Sequence, residues 1–306
     1  NAMTSSLVGS EMCIRDSKGY ICGGYNGKTT RLADTWEYDI DNDWWTQRAD
    51  MPGTVRNAAT GFPVGNKGYI TTGYNPDQKY LADTWEYDPE TNTWRQMDDF
   101  KGGARYYALG FGIDNYGYVG TGYNDNYLKD FYRFDPTAAA GSQWTIVNGF
   151  GGQKRQGATA FVIDGKAYVC GGQNNNSDVS DFWRFDPSAA TPWTQLRDIA
   201  NTSDDDYDDD YTSIVRSYGV SFVIDGKAYL TLGSTAGGSY YSNYWIYDPE
   251  TDLWEGDDLT AFEGSTRIHA VCFSTGIRGI IATGGSGSSS YFDDTWELKP
   301  YEYEEE

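Results

Sequence analysis

The chain has 306 residues, of which 45 are acidic and 23 basic, so its formal net charge is −22. A charge this negative argues against binding to nucleic acid and to anionic lipid, because both are held by basic patches. The single histidine, His269, excludes most metal and acid–base sites built from several imidazoles, while 16% aromatic residues and 37 glycines indicate short strands and tight turns.

The first seventeen residues differ from the rest of the chain. Asn1-Ala2-Met3 is typical of an expression scar, and residues 5–17 resemble a translated adaptor and match nothing later in the sequence. We predict that residues 1–17 are a non-native segment that fills the inner strand of the first structural unit, with Leu7 in a slot that arginine takes in later units. Residues 18–306 are predicted to form a single domain. No secretion signal is visible, so we expect that a natural one was lost or never present.

From Lys18 onward the sequence repeats about every fifty residues. A glycine closes the same short motif at intervals of 49, 49, 50, 61 and 51 residues, at Gly24, Gly73, Gly122, Gly172, Gly233 and Gly284. An acidic–aromatic segment such as Asp83-Thr-Trp-Glu-Tyr-Asp88 follows about ten residues later, and then a tryptophan in five units. Each unit reads as four strands, and Asp164-Gly165 and Asp225-Gly226 are typical of two-residue hairpin turns. Four strands at this period, without helical periodicity, predict the blades of a β-propeller.

The order of the recurring positions within the units carries a family resemblance. Arginine, small residues, Tyr-x-x-Gly-Gly, Asp-x-aromatic-x-Tyr-Asp-Pro and tryptophan together resemble the kelch repeat, from Lys18 to Pro300. The resemblance implies an all-β, six-bladed propeller of four-stranded blades. Ring closure is predicted to be irregular, because the sixth unit stops after its third strand, where Glu305 stands in place of the tryptophan. Kelch propellers include enzymes, peptide readers and sugar binders, so the resemblance implies no single activity.

Antiparallel strands sort the loops of every blade onto two faces. One face, here called the mouth, collects the loops after the repeated glycines and the starts of the inner strands. The candidate ligand-binding residues at the mouth are Arg56, Arg105, Arg155, Arg216, Arg267, Tyr25, Tyr74, Tyr123, Asn124 and Gln173. Arginine suits carboxylate or phosphate, and tyrosine with asparagine suits sugars, so a protein, an acidic glycan or a small anion is the predicted partner. The alternative, which is favoured because repeat position alone generates such pairs, is that each arginine pairs with a carboxylate of a neighbouring blade, such as Asp34, Asp83, Asp130, Asp181 or Asp294.

One insertion interrupts the repeat between units four and five. Trp193 lies 23 residues before Arg216, where three other junctions span 11, and the insertion has six aspartates in seven positions. Asp204, Asp206, Asp208 and Asp210 form a candidate calcium loop, because Ca²⁺ takes carboxylate oxygens. The spacing fits no EF-hand, so a solvated acidic loop is the favoured interpretation, as it is for the acidic tail at residues 302–306. No other cofactor is predicted.

Catalytic motifs are scarce in this sequence, and no catalytic residue is predicted. His269 is interpreted as a packed histidine that faces the mouth and could serve as a lone acid or base. The copper site of galactose oxidase, a kelch-type enzyme, needs several histidines and cannot be assembled here. The four cysteines show no CxxC spacing and are interpreted as small buried residues.

The predicted function is a non-enzymatic binding module that recognises a protein or glycan through the mouth. The alternative is a sugar-processing enzyme resembling the kelch-type sialic-acid mutarotases, and a structural role within an assembly is a third possibility. No apolar run approaches the roughly 20 residues that span a bilayer. Acidic kelch proteins rich in tyrosine and asparagine resemble exported bacterial proteins, so we expect an extracytoplasmic monomer, periplasmic or at the cell surface.

Overall fold

The computed structural model describes residues 10–14, 18–27, 30–256, 260–287 and 290–300. Within these ranges the chain is all-β, and its one helical element is a single 3₁₀ turn at Asp206–Asp208. Six antiparallel sheets follow one another along the chain and form the blades of a β-propeller, as predicted.

The first three blades each have four strands. Blade 1 contains β1 (Ser10–Ile14), β2 (Lys18–Tyr25), β3 (Arg31–Asp39) and β4 (Trp44–Arg48). Blade 2 contains β5 (Thr60–Val64), β6 (Lys67–Thr71), a small ribbon of β7 (Tyr74–Asn75) and β8 (Lys79–Tyr80), then β9 (Thr84–Asp88) and β10 (Thr93–Gln96). Blade 3 contains β11 (Leu109–Ile113), β12 (Tyr116–Gly120), β13 (Phe131–Phe134) and β14 (Trp144–Val147).

The last three blades continue the same order, and two of them carry a similar ribbon. Blade 4 contains β15 (Thr159–Ile163), β16 (Lys166–Cys170), the ribbon of β17 (Gln173–Asn174) and β18 (Ser177–Asp178), then β19 (Trp183–Phe185) and β20 (Trp193–Gln195). Blade 5 contains β21 (Val220–Ile224), β22 (Lys227–Thr231), β23 (Trp245–Asp248) and β24 (Leu253–Glu255). Blade 6 contains β25 (Val271–Ser274), β26 (Gly279–Ala282), the ribbon of β27 (Gly285–Ser286) and β28 (Ser290–Tyr291), then β29 (Thr295–Leu298).

The inner hairpins are closed by the turns that the sequence indicates. In blade 4 Ile163 pairs with Lys166, which leaves a two-residue turn. Its central residues, Asp164 and Gly165, have φ of +49° and +70°. Two successive positive φ values define a type I′ turn, whose twist matches that of the flanking strands.

The core lies between the blades, where a separate apolar cluster fills each of the six junctions. The junction of blades 6 and 1 closes the ring with Ile21 and Tyr38 from one side and Phe273 from the other. Gly19 is required there, because a Cβ at this position would lie 2.6 Å from the Phe273 ring. The indole of Trp45 also donates a hydrogen bond to Thr295 Oγ1 at 3.0 Å, so blades far apart in sequence are joined directly.

The two ends of the described chain meet the ring differently. Strand β1 pairs with β2 along its whole length, with Met12 opposite Tyr20. Within the described residues, blade 6 has only three strands, as the sequence indicates. Leu7 and residues 302–306 lie outside the described residues, and the non-native origin of residues 1–17 stays a prediction.

Three cysteines, Cys22, Cys170 and Cys272, are buried as reduced thiols. Burial raises the pKa of the Cys22 and Cys170 thiols to about 12, so both stay protonated and unreactive at neutral pH. This agrees with their interpretation as small core residues, while the side chain of Cys13 lies outside the described part.

Candidate functional site

Five arginines stand at the starts of the inner strands of blades 2 to 6, and we call them the interblade arginines: Arg56, Arg105, Arg155, Arg216 and Arg267. At most 1% of each residue is exposed. In each, Nη1 donates to the carbonyl sixteen residues later, as Arg56 does to Thr72 at 3.0 Å. Four of them also pair with an aspartate, in Arg56–Asp83, Arg105–Asp130, Arg155–Asp181 and Arg267–Asp294.

The main chain of the same arginines contacts the preceding blade. Gly122 of blade 3 donates its N–H to the carbonyl of Arg155 at 2.8 Å, and Gly172 of blade 4 does the same to Arg216. Each arginine therefore holds its own blade with its side chain and the previous blade with its backbone. The arginines expected to bind ligand lie beneath the mouth surface, with their donors engaged inside the protein. Four of the five pair with an aspartate, as the alternative predicts, but the aspartate belongs to the same blade and not to a neighbouring one.

Arg216 is the exception among the interblade arginines, because Asn243 occupies the position of the aspartate. The Asn243 amide oxygen accepts from Arg216 Nη2 at 3.1 Å. Burial, without a carboxylate to offset it, lowers the pKa of Arg216 to about 10. Blade 5 thus buries a cation that four other blades neutralise.

Asn243→Asp is expected to raise the free energy of unfolding by about 1 kcal/mol, because it gives Arg216 the carboxylate partner found in the other blades. Urea denaturation at pH 7 measures the change. Asn148→Asp is the matched control, since Asn148 is exposed and should leave stability unchanged. Equal effects of the two substitutions would contradict the role given to the pair.

Partly exposed tyrosines from blades 2 and 3 form one continuous surface at the mouth. We call it the tyrosine cluster, and its members are Tyr74, Tyr80, Tyr106, Tyr123 and Tyr127. Tyr106 lies at its centre, with ring centroids 5.7 Å from Tyr74 and Tyr123. It stacks on Tyr80 at 5.6 Å with the two planes only 5° apart. The Tyr80 hydroxyl donates to Asp125 Oδ1 at 2.7 Å, which fixes the outer rim of the cluster.

Beside the cluster, three rings converge on the propeller axis: Tyr107, Tyr218 and His269, here called the central triad. All three come two residues after an interblade arginine and have positive φ, between +51° and +60°. The Tyr107 and His269 rings stack at 5.1 Å, and Tyr218 lies 4.3 Å from His269. Gly157 holds the same place in blade 4, where a Cβ would come within 2.4 Å of the Tyr218 ring. The absence of a side chain there leaves room for Tyr218.

The Tyr218 hydroxyl of the central triad accepts hydrogen bonds from two neutral amide groups. Nε2 of Gln156 and of Gln173 donate to the Tyr218 hydroxyl at 2.8 and 2.7 Å. Burial raises the pKa of Tyr218 and of Tyr107. Burial lowers the pKa of His269 to about 3, so its imidazole is neutral at physiological pH. The middle of the mouth is therefore aromatic and uncharged.

Arg31 brings a cation to the edge of this surface. Its guanidinium carbon lies 4.4 Å from the ring centroid of Tyr25 and 5.5 Å from that of Tyr74, within the range of cation–π contacts. Its Nε donates to Asn57 Oδ1 at 2.9 Å. Arg31 thus links Tyr25 to the tyrosine cluster. Asn124 is partly exposed in the neighbouring loop, where its N–H donates to the carbonyl of Asn126 at 3.1 Å.

The structure therefore brings together the sequence-predicted Tyr25, Tyr74, Tyr123 and Gln173. It adds residues that sequence reasoning missed: Arg31, Tyr80, Tyr106, Tyr107, Tyr127 and Tyr218. A signal for the triad was present, because the slot two residues after each arginine differs from blade to blade, as Ala58, Tyr107, Gly157, Tyr218 and His269.

The triad also lies at one end of the central channel. Beyond it the inner strands line cavities of about 180 and 400 Å³. Their walls are mostly glycine, alanine, valine and main chain, and Cys272 donates its thiol to the Ser221 carbonyl at 3.1 Å. The channel offers little charge to a ligand, so recognition chemistry concentrates at the mouth.

The acidic insertion is organised around one of its own carboxylates. Asp208 is buried and accepts hydrogen bonds at 2.9 Å from the N–H groups of Thr202 and Ser203. Burial raises its pKa, but these bonds outweigh burial and leave the pKa below its usual value. Asp204, Asp206 and Asp210 are exposed. In the described ranges no three His, Cys, Asp or Glu side chains are grouped so as to hold a metal ion.

Calcium binding by the insertion is tested by isothermal titration of the intact protein. Because Asp208 is already committed to the loop and the other three carboxylates face solvent, we expect no saturable heat with CaCl₂. A saturable signal that disappears in an Asp204→Asn, Asp206→Asn variant would contradict this expectation.

Comparison with known families defines the class of protein. A model described as the KLHDC2/KLHL20/DRC7 Kelch-repeats domain matches residues 2–151, and the Kelch motif matches residues 154–196. The chain belongs to the kelch-repeat family.

A solved structure titled "Structure of YjhT" resembles this chain with a TM-score of 0.76 and 16% sequence identity, covering 95% of this chain and 94% of that one. At this identity the likeness supports the fold alone. Matches to 540 chains of solved structures make the fold too widespread to select a function. No curated protein matches the sequence. Among the described residues, no helix has the length and apolar character needed to cross a membrane.

Proposed function

We propose that this kelch propeller is a non-enzymatic binding module that recognises a glycan or protein through the tyrosine cluster and the rim of the central triad. The observation that carries the proposal is the concentration of partly exposed rings at one mouth, with Tyr106 at 5.6–5.7 Å from three neighbours. Aromatic faces suit sugar rings and apolar side chains, and phenol and amide groups suit hydroxyls and peptide groups. An extracytoplasmic location belongs to the same proposal.

Arg31 supports a more specific form of this proposal, in which the ligand is acidic. Since the interblade arginines are buried, Arg31 is the guanidinium that the cluster itself presents near Tyr25 and Tyr74. An anionic group that lies over the cluster would approach this cation rather than the arginines around the axis. Selectivity for acidic over neutral glycans should then depend in part on Arg31.

The proposal is tested on an array that carries acidic and neutral glycans and peptides. Tyr106→Ala and Tyr123→Ala are each expected to weaken binding about tenfold or more, because aromatic anchors dominate such contacts. Trp44→Ala is the control, since this indole is 66% exposed outside the mouth and should leave binding unchanged. Thermal denaturation of each variant separates lost binding from lost folding. Unchanged binding by both tyrosine variants, or no ligand for the parent protein, would contradict the proposal.

A sugar-processing enzyme resembling the kelch-type sialic-acid mutarotases remains the alternative, in which His269 would be a poor acid or base. An effective acid or base needs a pKa near the working pH, whereas burial holds that of His269 at about 3. NMR of freshly dissolved sialic acid, with and without the protein, measures anomerisation. Acceleration by the parent protein would favour the enzyme, and its absence would favour the binding module.

A further inference from the structure

Blades 3 and 4 present different side chains at the same place in the mouth. In blades 2 to 6 the residue after each interblade arginine pairs through its main chain with the residue after the repeated glycine. In blade 3 these two residues are Tyr106 and Tyr123, and in blade 4 they are Gln156 and Gln173. An aromatic sector of the mouth therefore adjoins an amide sector.

The two amides of blade 4 converge on the phenol of Tyr218 and leave one donor and one acceptor unused. Nε2 of Gln156 and Nε2 of Gln173 donate to the Tyr218 hydroxyl, which uses both acceptor positions of the phenol oxygen. The phenol proton then has no acceptor among the described residues. Gln156 is 8% exposed, and its Oε1 accepts no hydrogen bond from the described part of the chain. A buried acceptor in this state costs free energy until a donor reaches it.

Rotation of the Gln156 amide does not remove the mismatch. When the amide is turned over, Oε1 accepts the Tyr218 O–H, and Nε2 becomes the group without a partner. In both orientations the Gln156 amide has one polar group, next to Tyr218, that the described residues leave unpaired. A ligand atom that fits here must therefore donate in one orientation and accept in the other.

A hydroxyl group meets this requirement, because one oxygen both donates and accepts. It donates to Oε1 of Gln156 and accepts the O–H of Tyr218. A carboxylate only accepts and an ammonium only donates, so each satisfies one of the two groups. A trans peptide group points its N–H and C=O in opposite directions, so it cannot meet two groups that lie side by side. The pair therefore selects an alcohol over a charged group or a peptide.

The amide sector is continuous with the aromatic surface. The Tyr107 ring lies between the two sectors, with its centroid 4.7 Å from that of Tyr106 and 4.9 Å from that of Tyr218. Tyr106 leads in turn to Tyr123 at 5.7 Å. A pyranose has an apolar face of C–H groups and a rim of hydroxyls, so it matches a row of rings that ends at a hydroxyl-binding group.

We propose that Gln156, Gln173 and Tyr218 form a subsite for one hydroxyl of a pyranose, and that the ligand of the mouth is a glycan rather than a protein. This assignment rests on the proposed function, because it names the ligand of the same mouth. The apolar face of the sugar lies along the tyrosine cluster, and a hydroxyl at its rim reaches the amide sector. The subsite is neutral, so it binds neutral and acidic glycans through the same hydroxyl, whereas Arg31 acts on the anionic group of the acidic ones.

Methyl pyranosides of glucose, galactose and mannose, each with its set of monodeoxy derivatives, are the probes. Their dissociation constants are measured by saturation-transfer NMR on the intact protein. We expect at least one of the three glycosides to bind. One of its monodeoxy derivatives should bind about tenfold more weakly, because the missing hydroxyl leaves the polar groups of the subsite unpaired.

Variants assign that loss to the subsite. Gln156→Leu should weaken binding of the glycoside about tenfold and should no longer distinguish it from the critical deoxy derivative. Gln96→Leu is the matched control, since it removes an exposed glutamine from the outer strand β10 and should keep the full preference. Because Gln156 is buried, thermal denaturation checks its folding. Gln173→Leu, at a partly exposed position, is the second variant and should reduce the preference about threefold or more, because it removes the other donor to the phenol.

The outcomes separate this assignment from the broader proposal. Equal affinity of a glycoside and all its deoxy derivatives, or a preference that Gln156→Leu and Gln173→Leu retain, would overturn the subsite. The binding module would stand in that case if Tyr106→Ala still weakened binding of the glycoside. Binding of array peptides without binding of any pyranoside would overturn the glycan assignment alone. The absence of any ligand among glycans, pyranosides and peptides would overturn both.

Discussion

Arg155→Ala is expected to lower the free energy of unfolding by about 3–5 kcal/mol, the range for removing one partner of a buried ion pair. Arg155 is fully buried, pairs with Asp181, and donates to the carbonyls of Gly171 and Gln153 at 3.1 Å each. Loss of the Arg155 guanidinium leaves the carboxylate of Asp181, which is 7% exposed, without a cation. The carboxylate then keeps the hydrogen bond that Oδ2 accepts from the Gln153 N–H at 2.8 Å. Equilibrium urea denaturation at pH 7 measures the effect.

Two further variants show how much of the loss in free energy of unfolding comes from the unpaired buried charge. Arg95→Ala removes an arginine whose side chain is 63% exposed, and its ion pair with Glu86 should contribute at most about 1 kcal/mol. The double variant Arg155→Met, Asp181→Leu removes both buried charges and should recover much of the stability. A loss below about 1 kcal/mol for Arg155→Ala would contradict the role of its side chain in stabilising blade 4.

Acidification from pH 7 to pH 5 is expected to cost about 2 kcal/mol of stability through His269 alone. The pKa of His269 is about 3 in the folded protein, against an ordinary value of 6.5. Between these values the unfolded chain binds a proton that the folded chain does not, so stability falls as pH falls through this window. Protonation in the fold would place a charge between Tyr107 and Tyr218, whose pKa values are raised by burial and whose phenols stay neutral.

His269→Phe provides the comparison, because it keeps a ring in the central triad and removes the only imidazole. Urea denaturation of both proteins at pH 7, 6 and 5 gives the difference that belongs to His269, since carboxylates contribute to both curves. The parent protein should lose more stability than the variant at each step. Parallel curves would show that His269 does not titrate differently in the folded and unfolded states.

The fold could be predicted from the sequence because the same local sequence features recur from unit to unit. Glycines at near-constant spacing in six units, Asp-Gly turns and a tryptophan in five of the units each report a local requirement, and their repetition makes the pattern hard to mistake. The sequence also predicts a short sixth blade, since Glu305 stands where a tryptophan is expected, and the described residues of that blade form three strands. Local strand and turn chemistry was therefore enough to specify the architecture.

The candidate site was less accessible, because sequence specifies where a side chain starts but not which way it turns. The interblade arginines begin at the mouth as predicted, yet four of them bend into their own blades to reach aspartates 25–27 residues later. Tyr107 and Tyr218 were not predicted as site residues because the residue type at their repeat position changes from blade to blade. Repeated positions pack between blades, whereas a slot that changes from blade to blade faces the one surface that all blades share.

The burial of the interblade arginines changes the surface that a dissolved partner encounters. Five of the 23 basic residues are committed inside the fold, so they attract little from solution, and the exterior acts as that of a polyanion with a formal charge of −22. This field repels a negative ligand. Salt weakens the repulsion, because at physiological ionic strength the field is screened beyond about 8 Å. A cationic segment is drawn in fastest when salt is low, so ionic strength alone shifts which class of partner arrives first.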